Sequence, residues 1–257
     1  TVVAHGISFV LSVVVLRRRE NFPFDFHRRS FSLKREYAAL LLKLGVPVSM
    51  QEFLIGFSFL LITAFVNRMG LDQSASVGVV EKVISFAMVV PIAVMSAIAA
   101  MTAQNMGAGQ PERARAALRW GIVGSLIFGC LSCAVIQVCP EAIMAVFSDD
   151  PGVIVQGALY MRTYGIDCIL VAFVFCLNGF FSGCGHTGFS MANSLIATFG
   201  VRAPGVLIIS LFPGATMFHI GLAAPVASVV QVAIQLLYLR SGRWRKGIFA
   251  VQKGTAP

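Results

Sequence analysis

The sequence predicts an all-α protein, a polytopic transmembrane helix bundle with six full spans and a partial span at its N-terminus. Hydrophobic residues make up 57% of its 257 residues and charged residues only 12%, about half of the roughly 25% that a soluble domain carries. The apolar residues collect in runs of about 20, the length that crosses a bilayer core. The basic residues collect between alternate runs. A water-soluble enzyme and a disordered tail therefore do not fit this composition.

Six apolar runs are predicted to cross the membrane completely. Their approximate bounds are 46–66, 83–103, 121–139, 160–181, 191–211 and 220–239.

A seventh run, 2–16, is too short to cross a hydrocarbon core of about 30 Å. Arginines follow this run rather than precede it, which argues against a signal peptide. We expect it to be the end of a helix from a missing N-terminal lobe, and the chain to be a fragment. The predicted organisation is then a partial helix (1–16), a basic cytoplasmic loop (17–44), a six-helix membrane lobe (45–239) and a basic cytoplasmic tail (240–257).

The basic residues predict the orientation. Of the 20 lysines and arginines, 16 lie on one side of the predicted spans, in segments 17–43, 113–119 and 240–253. We expect the bundle to lie in the plasma (inner) membrane. The positive-inside rule places these segments and the C-terminus on its cytoplasmic side. We expect the tail to lie against anionic headgroups. The net charge of +9 therefore does not indicate a nucleic-acid partner.

Two local patterns predict how helices begin and pack. Gln110–Trp120 is expected to form a short cytoplasmic helix with Pro111 in its first turn and its arginines facing lipid phosphates. Gly179 and Gly183 are spaced as a small-xxx-small pair, which lets two helices approach closely.

No pattern of catalytic or cofactor chemistry is present, and we predict neither an enzyme nor a metal or cofactor site. The segment 183–188 has the GxGxxG spacing, but it follows an apolar helix instead of a strand, so we expect a tight helix–helix turn. Cys184 and His186 are two metal-ligand types without a third or fourth partner. The six cysteines lie in or beside apolar segments and are interpreted as packing residues.

Several short motifs resemble, in order and spacing, those of the multidrug and toxic compound extrusion (MATE) family in its C-terminal six-helix lobe. The first follows the second full span and contains Gln104, Asn105, Gly107, Gly109 and Arg113. The others are Leu44-Gly45-Val46-Pro47 with Gln51, Phe147-Ser148-Asp149-Asp150-Pro151, Asn178-Gly179-Phe180-Phe181-Ser182-Gly183-Cys184-Gly185, and Val201-Arg202-Ala203-Pro204.

The resemblance implies a twelve-helix antiporter in which two lobes surround a central cleft. Such proteins export organic, often cationic compounds in exchange for sodium ions or protons, and the resemblance leaves the coupling ion open. The expected partners are an organic cation or drug-like substrate, the lipid bilayer and the missing N-terminal lobe.

Ionisable residues inside the spans are the best functional candidates, because burying a charge in a membrane is costly. Asp167 and Arg202 are expected at similar depths on one helical hairpin, so we predict an ion pair that is either structural or breaks during transport. Glu52 has no basic partner at its depth. It is interpreted either as a proton carrier or cation-attracting group, with Gln51 as a polar ligand beside it, or as a side chain that reaches the cytoplasmic interface.

Three amides have two interpretations each. Gln104 and Asn105 either cap the helix end or touch substrate, and Asn178 either lines the cleft or bonds a neighbouring helix. Glu81 and Lys82 are expected near the outer start of a helix, where interfacial water solvates them.

Two alternatives to a drug antiporter remain. A flippase or polysaccharide-type exporter of the same helical plan is disfavoured because only Arg202 is basic at mid-depth. The other is a membrane fragment that is inactive in transport.

Overall fold

The computed structural model describes residues 2–18 and 35–246, and within these ranges every regular element is helical. The chain divides between Lys43 and Leu44 into two compact units. The first contains α1 (Val2–Arg18) and the start of α2, and the second contains everything discussed below. Most of the predicted basic loop and the end of the predicted tail lie outside the described residues.

The remaining elements follow one another through short connections. They are α2 (Arg35–Val66), α3 (Leu71–Gly107), α4 (Pro111–Val138), α5 (Pro140–Ala145), α6 (Pro151–Gly165), α7 (Asp167–Gly183), α8 (Thr187–Ala197), a π-helical turn (Thr198–Arg202), α9 (Ala203–Leu211), α10 (Met217–Gly221), α11 (Ala223–Arg240) and a 3₁₀ turn (Arg243–Lys246).

The prediction of a polytopic bundle with six full spans is confirmed. Helices α2, α3 and α4 are each long and apolar enough to cross a membrane, as are the segments Thr187–Leu211 and Met217–Arg240. The sixth span is the pair α6 and α7, which meet at a bend of 47°. Helix α1 contains a shorter apolar stretch, Gly6–Val15.

Several predicted helix boundaries were wrong. Helix α2 begins at Arg35, so residues 35–44 of the predicted loop are helical, and α3 begins at Leu71 instead of near residue 83. The span predicted to start at residue 160 starts at Pro151, where the Asp150 carboxylate accepts a hydrogen bond from the Gly152 amide. Hydropathy marks the residues that prefer lipid, whereas a helix continues past the lipid until its backbone is capped.

The segment Gln110–Trp120 is not a separate helix. Pro111 occupies the first turn, as predicted, but α4 then continues without a break to Val138. The helix therefore carries its charged first turns directly into the apolar span.

Helix α7 is the centre of the bundle and packs closely against α3. A Cβ atom at Gly179 would collide with the carbonyl oxygen of Met95, and one at Gly183 would lie 2.5 Å from that of Ala99. The predicted small-xxx-small contact is thus confirmed: two glycines one turn apart meet two carbonyls one turn apart. The turn that follows α7 uses Gly185 with a positive φ of 84°, as expected for a helix–helix turn.

The core has two apolar clusters. One joins α3, α6 and α10 around Met161, Tyr164 and Met217. The other lies at the end of the bundle that carries the α3–α4 and α7–α8 turns, and it centres on Phe180, Phe181 and Trp244. The polar layer, formed by Tyr164, Asp167, Asn178 and Gln235, lies along α6, α7 and α11, which contribute to these clusters.

Candidate ion-coupling site

The half-buried Arg202 contacts aromatic groups of the second unit. It ends the π-helical turn, immediately before α9 with Pro204 near its start. Its guanidinium donates a hydrogen bond to the Tyr164 hydroxyl at 3.3 Å and lies 4.6 Å from the centroid of the Phe59 ring. Tyr164 in turn stacks on Tyr160, with ring centroids 5.5 Å apart. A planar guanidinium suits such a site, because it stacks on rings and donates at its edge.

Asp167 is the first residue of α7 and is buried, with 5% of its surface exposed. The bend after α6 places its carboxyl group at the positive end of the α7 dipole, which favours the anion. The Ser228 hydroxyl and the Arg202 guanidinium are polar groups in its surroundings. Its Oδ1 atom nevertheless has no hydrogen-bond partner among the residues that the structure describes.

The predicted ion pair between Asp167 and Arg202 is not formed. The three salt bridges in the described part of the chain join Arg115 and Arg245 to Glu112, and Arg162 to Glu141. The two predicted partners do lie in the same region, but the guanidinium is turned to Tyr164. The depth estimate was right about the neighbourhood and wrong about the contact, because it could not include the bend at Ile166 or the aromatic rings.

Glu81 is a second carboxylate in this region that the sequence interpretation missed. Because α3 begins at Leu71, Glu81 lies ten residues, or about 15 Å, into the helix, instead of near its start. Its Oε1 atom is buried and unpartnered within residues 35–246. The Arg202 guanidinium is close enough to act on it electrostatically. Two carboxylates, each with one unpartnered oxygen in the described chain, are therefore within electrostatic reach of one guanidinium that donates to a phenol.

Glu52 and Gln51 do not join this cluster. Glu52 is exposed and Gln51 half-buried on α2, so Glu52 is not enclosed by apolar groups of the described chain. Both interpretations of Glu52, as a coupling carboxylate and as an interfacial side chain, therefore stay predictions.

Asn178 bonds a neighbouring helix, the second of its two interpretations. Its carbonyl oxygen accepts a hydrogen bond from Gln235 of α11 at 2.9 Å. One turn away, the Gln231 side chain donates to the Ser194 hydroxyl at 3.0 Å, and the Gln231 backbone carbonyl accepts from the Asn193 side chain at 3.3 Å. These amides join α7, α8 and α11 through the apolar interior. The signal that could have found them is the spacing of Gln231 and Gln235, one turn apart in an apolar helix.

The backbone of the family motif after α3 closes the helix end. The backbone carbonyls of Gln104 and Asn105 accept the amides of Ala108 and Gln110, and the Asn105 side chain donates to the carbonyl of Met101 at 2.7 Å. Gly109 takes a positive φ of 71° in the turn.

The rest of the motif has its own places in this turn. Arg113 donates to the Gln110 side chain at 3.0 Å, and Gly107 is the last residue of α3.

His186 occupies the position before α8 without a capping hydrogen bond from its side chain, and within the described ranges it is not part of a cluster of metal ligands. Its Nδ1 atom lies 3.2 Å from the Tyr238 hydroxyl. Burial lowers the pKa of His186, and a weaker interaction with the Trp244 backbone acts in the opposite direction. Cys184 is buried beside it as a packing residue.

A sequence model of the MatE family matches residues 47–208 of the chain. The chain belongs to the MatE family. It is a multi-pass membrane protein of a transporter family, as the motifs led us to expect. All the predicted site residues lie within the matched segment, whereas Gln231 and Gln235 lie beyond it.

Two curated relatives come from Bacillus subtilis. The chain is 26% identical over 242 residues to the probable multidrug resistance protein YoeA, covering 91% of this chain and 51% of that protein. It is 25% identical to the probable multidrug resistance protein YpnP, covering 95% of this chain and 54% of that protein. This MatE chain therefore spans about half the length of the curated relatives it matches.

A crystal structure of MATE in complex with MaL6 has the same fold as the chain. The two superpose with a TM-score of 0.84 at 16% identity, over 93% of this chain and 56% of the other. At that identity the comparison shows the MatE fold alone.

Proposed function

We propose that this chain forms the C-terminal half of a cation-coupled multidrug antiporter, which exports organic, often cationic compounds by alternating access. The names of its relatives support the substrate class, and the share of their length that it spans supports the assignment to one half. The coupling ion is a sodium ion or a proton. In this proposal the second half is supplied by a further six-helix lobe, and the basic loops and the C-terminus face the cytoplasm.

The observation that carries the proposal is Asp167. A carboxylate in a membrane interior is costly unless it is paired or solvated. Here the only guanidinium nearby is bound to Tyr164 instead, which leaves Oδ1 unpartnered in the described chain. A proton or a sodium ion is the small cation that would satisfy this oxygen. Binding one would remove the charge that disfavours movement of the lobe.

The test compares ethidium efflux from cells that carry the full reading frame at its native locus with cells that carry an Asp167→Asn variant. We expect the variant to lose efflux driven by an added sodium or proton gradient by at least about tenfold, because the amide cannot ionise. Asp149→Asn is the matched control, since Asp149 is exposed and outside the cluster. Unchanged efflux in the Asp167 variant, or equal loss in both variants, would refute the coupling role.

Expression of the 257-residue chain alone completes the test. We expect no efflux from the chain by itself, because one lobe lacks the opposite wall of the cleft. Efflux that is equal to that of the full reading frame would contradict the two-lobe proposal without affecting the role of Asp167.

A further inference from the structure

An open groove lies between α3 and α4, and Glu81, Asp167 and Arg202 do not line it. It has a volume of about 470 Å³. Small and apolar side chains form most of its wall, among them Val94, Ala97, Met101 and Ala117. Gly121 keeps α4 close behind it, because a Cβ atom there would collide with Ile98.

The groove is polar at one end only. Asn105 and Arg113 line that end, beside the α3–α4 turn, and Trp120 lines the wall with 76% of its surface exposed. From Val94 to Asn105 the wall rises about 16 Å along α3, close to half of a hydrocarbon core of about 30 Å. Trp120 lies seven residues, or about 10 Å, further along α4 than Arg113, so it belongs to the apolar part of the wall.

The three arginines at the start of α4 have different surroundings. Arg115 donates to Glu112 and lies 4.9 Å from the Trp244 ring, so its guanidinium already has partners within the protein. Arg119 is exposed and does not line the groove. Arg113 lines the groove and uses one donor on Gln110, and a guanidinium has four more.

We propose that this groove binds an anionic phospholipid, with one acyl chain along α3 and the headgroup phosphate on Arg113 and Asn105. The apolar wall is about as long as one leaflet is thick and suits an acyl chain, whereas contact with water would be unfavourable for these apolar side chains. The guanidinium at its polar end carries the charge opposite to a phosphate and can bind two of its oxygens. The occupant is therefore a lipid of the leaflet that contacts the α3–α4 turn.

The two tryptophans make the site directly measurable. Trp120 lines the groove, and Trp244 is fully buried elsewhere. The full chain is placed in nanodiscs of unlabelled phosphatidylcholine. Phosphatidylglycerol with a brominated acyl chain is added at rising fractions in one series, and phosphatidylcholine with a brominated acyl chain in the other. Tryptophan emission is recorded in both series. A Trp244→Phe variant isolates the Trp120 signal. The measurement is repeated with the unaltered chain, which carries both tryptophans.

We expect brominated phosphatidylglycerol to half-quench Trp120 at about a fivefold lower fraction than brominated phosphatidylcholine. This factor corresponds to about 1 kcal/mol for one basic residue near the membrane surface. Arg113→Gln should remove the preference, and Arg119→Gln, the same charge change on the same helix, should keep it. Equal quenching by the two lipids, or equal effects of the two variants, would overturn the proposal.

A second pair of variants tests the acyl chain independently of charge. Ala97→Leu fills the groove and should weaken quenching by both lipids about fivefold, whereas Ala100→Leu adds the same side chain at an exposed position outside it. Matching quenching curves for these two variants would also overturn the proposal.

Discussion

The close contact of α3 and α7 predicts the effect of a single methyl group at Gly183. In Gly183→Ala the new Cβ atom would lie 2.5 Å from the Ala99 carbonyl oxygen, whereas an ordinary contact begins at 3.4 Å. The obstacle is backbone, so it cannot rotate away, and the two helices must separate by about 0.9 Å. Overpacking of this kind costs about 1–3 kcal/mol. Because α7 carries both Asp167 and Asn178, the separation would also disturb the polar layer.

The assay is unfolding of the purified chain in mixed micelles with increasing sodium dodecyl sulfate, followed by tryptophan emission. Gly124→Ala is the matched control, because Gly124 also lies inside a membrane helix but a Cβ atom there meets nothing within 4 Å. We expect Gly183→Ala to unfold at lower detergent fraction and Gly124→Ala to unfold with the unaltered chain or later. Identical curves for the two variants would refute the packing argument.

Two further predictions concern the polar groups around α7. Gln235→Leu should lower the free energy of unfolding by about 1–3 kcal/mol, because it leaves the Asn178 amide unsatisfied in the interior. Adding Asn178→Leu should restore part of the loss, with a coupling energy near the 0.6 kcal/mol average of membrane hydrogen bonds. Absence of coupling in this cycle would contradict the hydrogen bond. Burial lowers the pKa of His186 below its ordinary 6.5, so the unfolded chain binds more protons in that range and stability falls as the pH falls below about 7. The melting temperature of His186→Gln should fall less between pH 7.5 and 5.5, and an equal fall in both proteins would contradict this origin.

The sequence predicted the class of fold and the family, because both depend on properties that average over many residues. Hydropathy over about 20 residues is insensitive to details of packing, and the number of spans was correct. The positions of the helix ends were not, because they depend on single caps such as Asp150. The error at the start of α3 also affected the candidate site, since it placed Glu81 at an interface instead of near Arg202.

Which face of a helix is covered could not be predicted from composition alone. Glu52 and Asp167 are both acidic residues in apolar segments, yet one is exposed and the other buried. The difference arises from packing: Asp167 follows the bend between α6 and α7, whereas Glu52 lies on α2, of which few side chains are buried. An acidic residue in a span is thus a candidate from sequence, and its role depends on contacts between helices distant in the chain.

The placement of Arg202 shows how one irregular turn can make a carboxylate available. A π-helical turn widens the helix by one residue, as is common at functional sites, and here it lies immediately before the α9 segment that contains Pro204. Because the turn ends with Arg202 on the Phe59 and Tyr164 rings, the guanidinium donates to the Tyr164 hydroxyl instead of forming a salt bridge with Asp167. The carboxylate then keeps its Oδ1 atom without a hydrogen-bond partner in the described chain, as the proposed cation coupling requires.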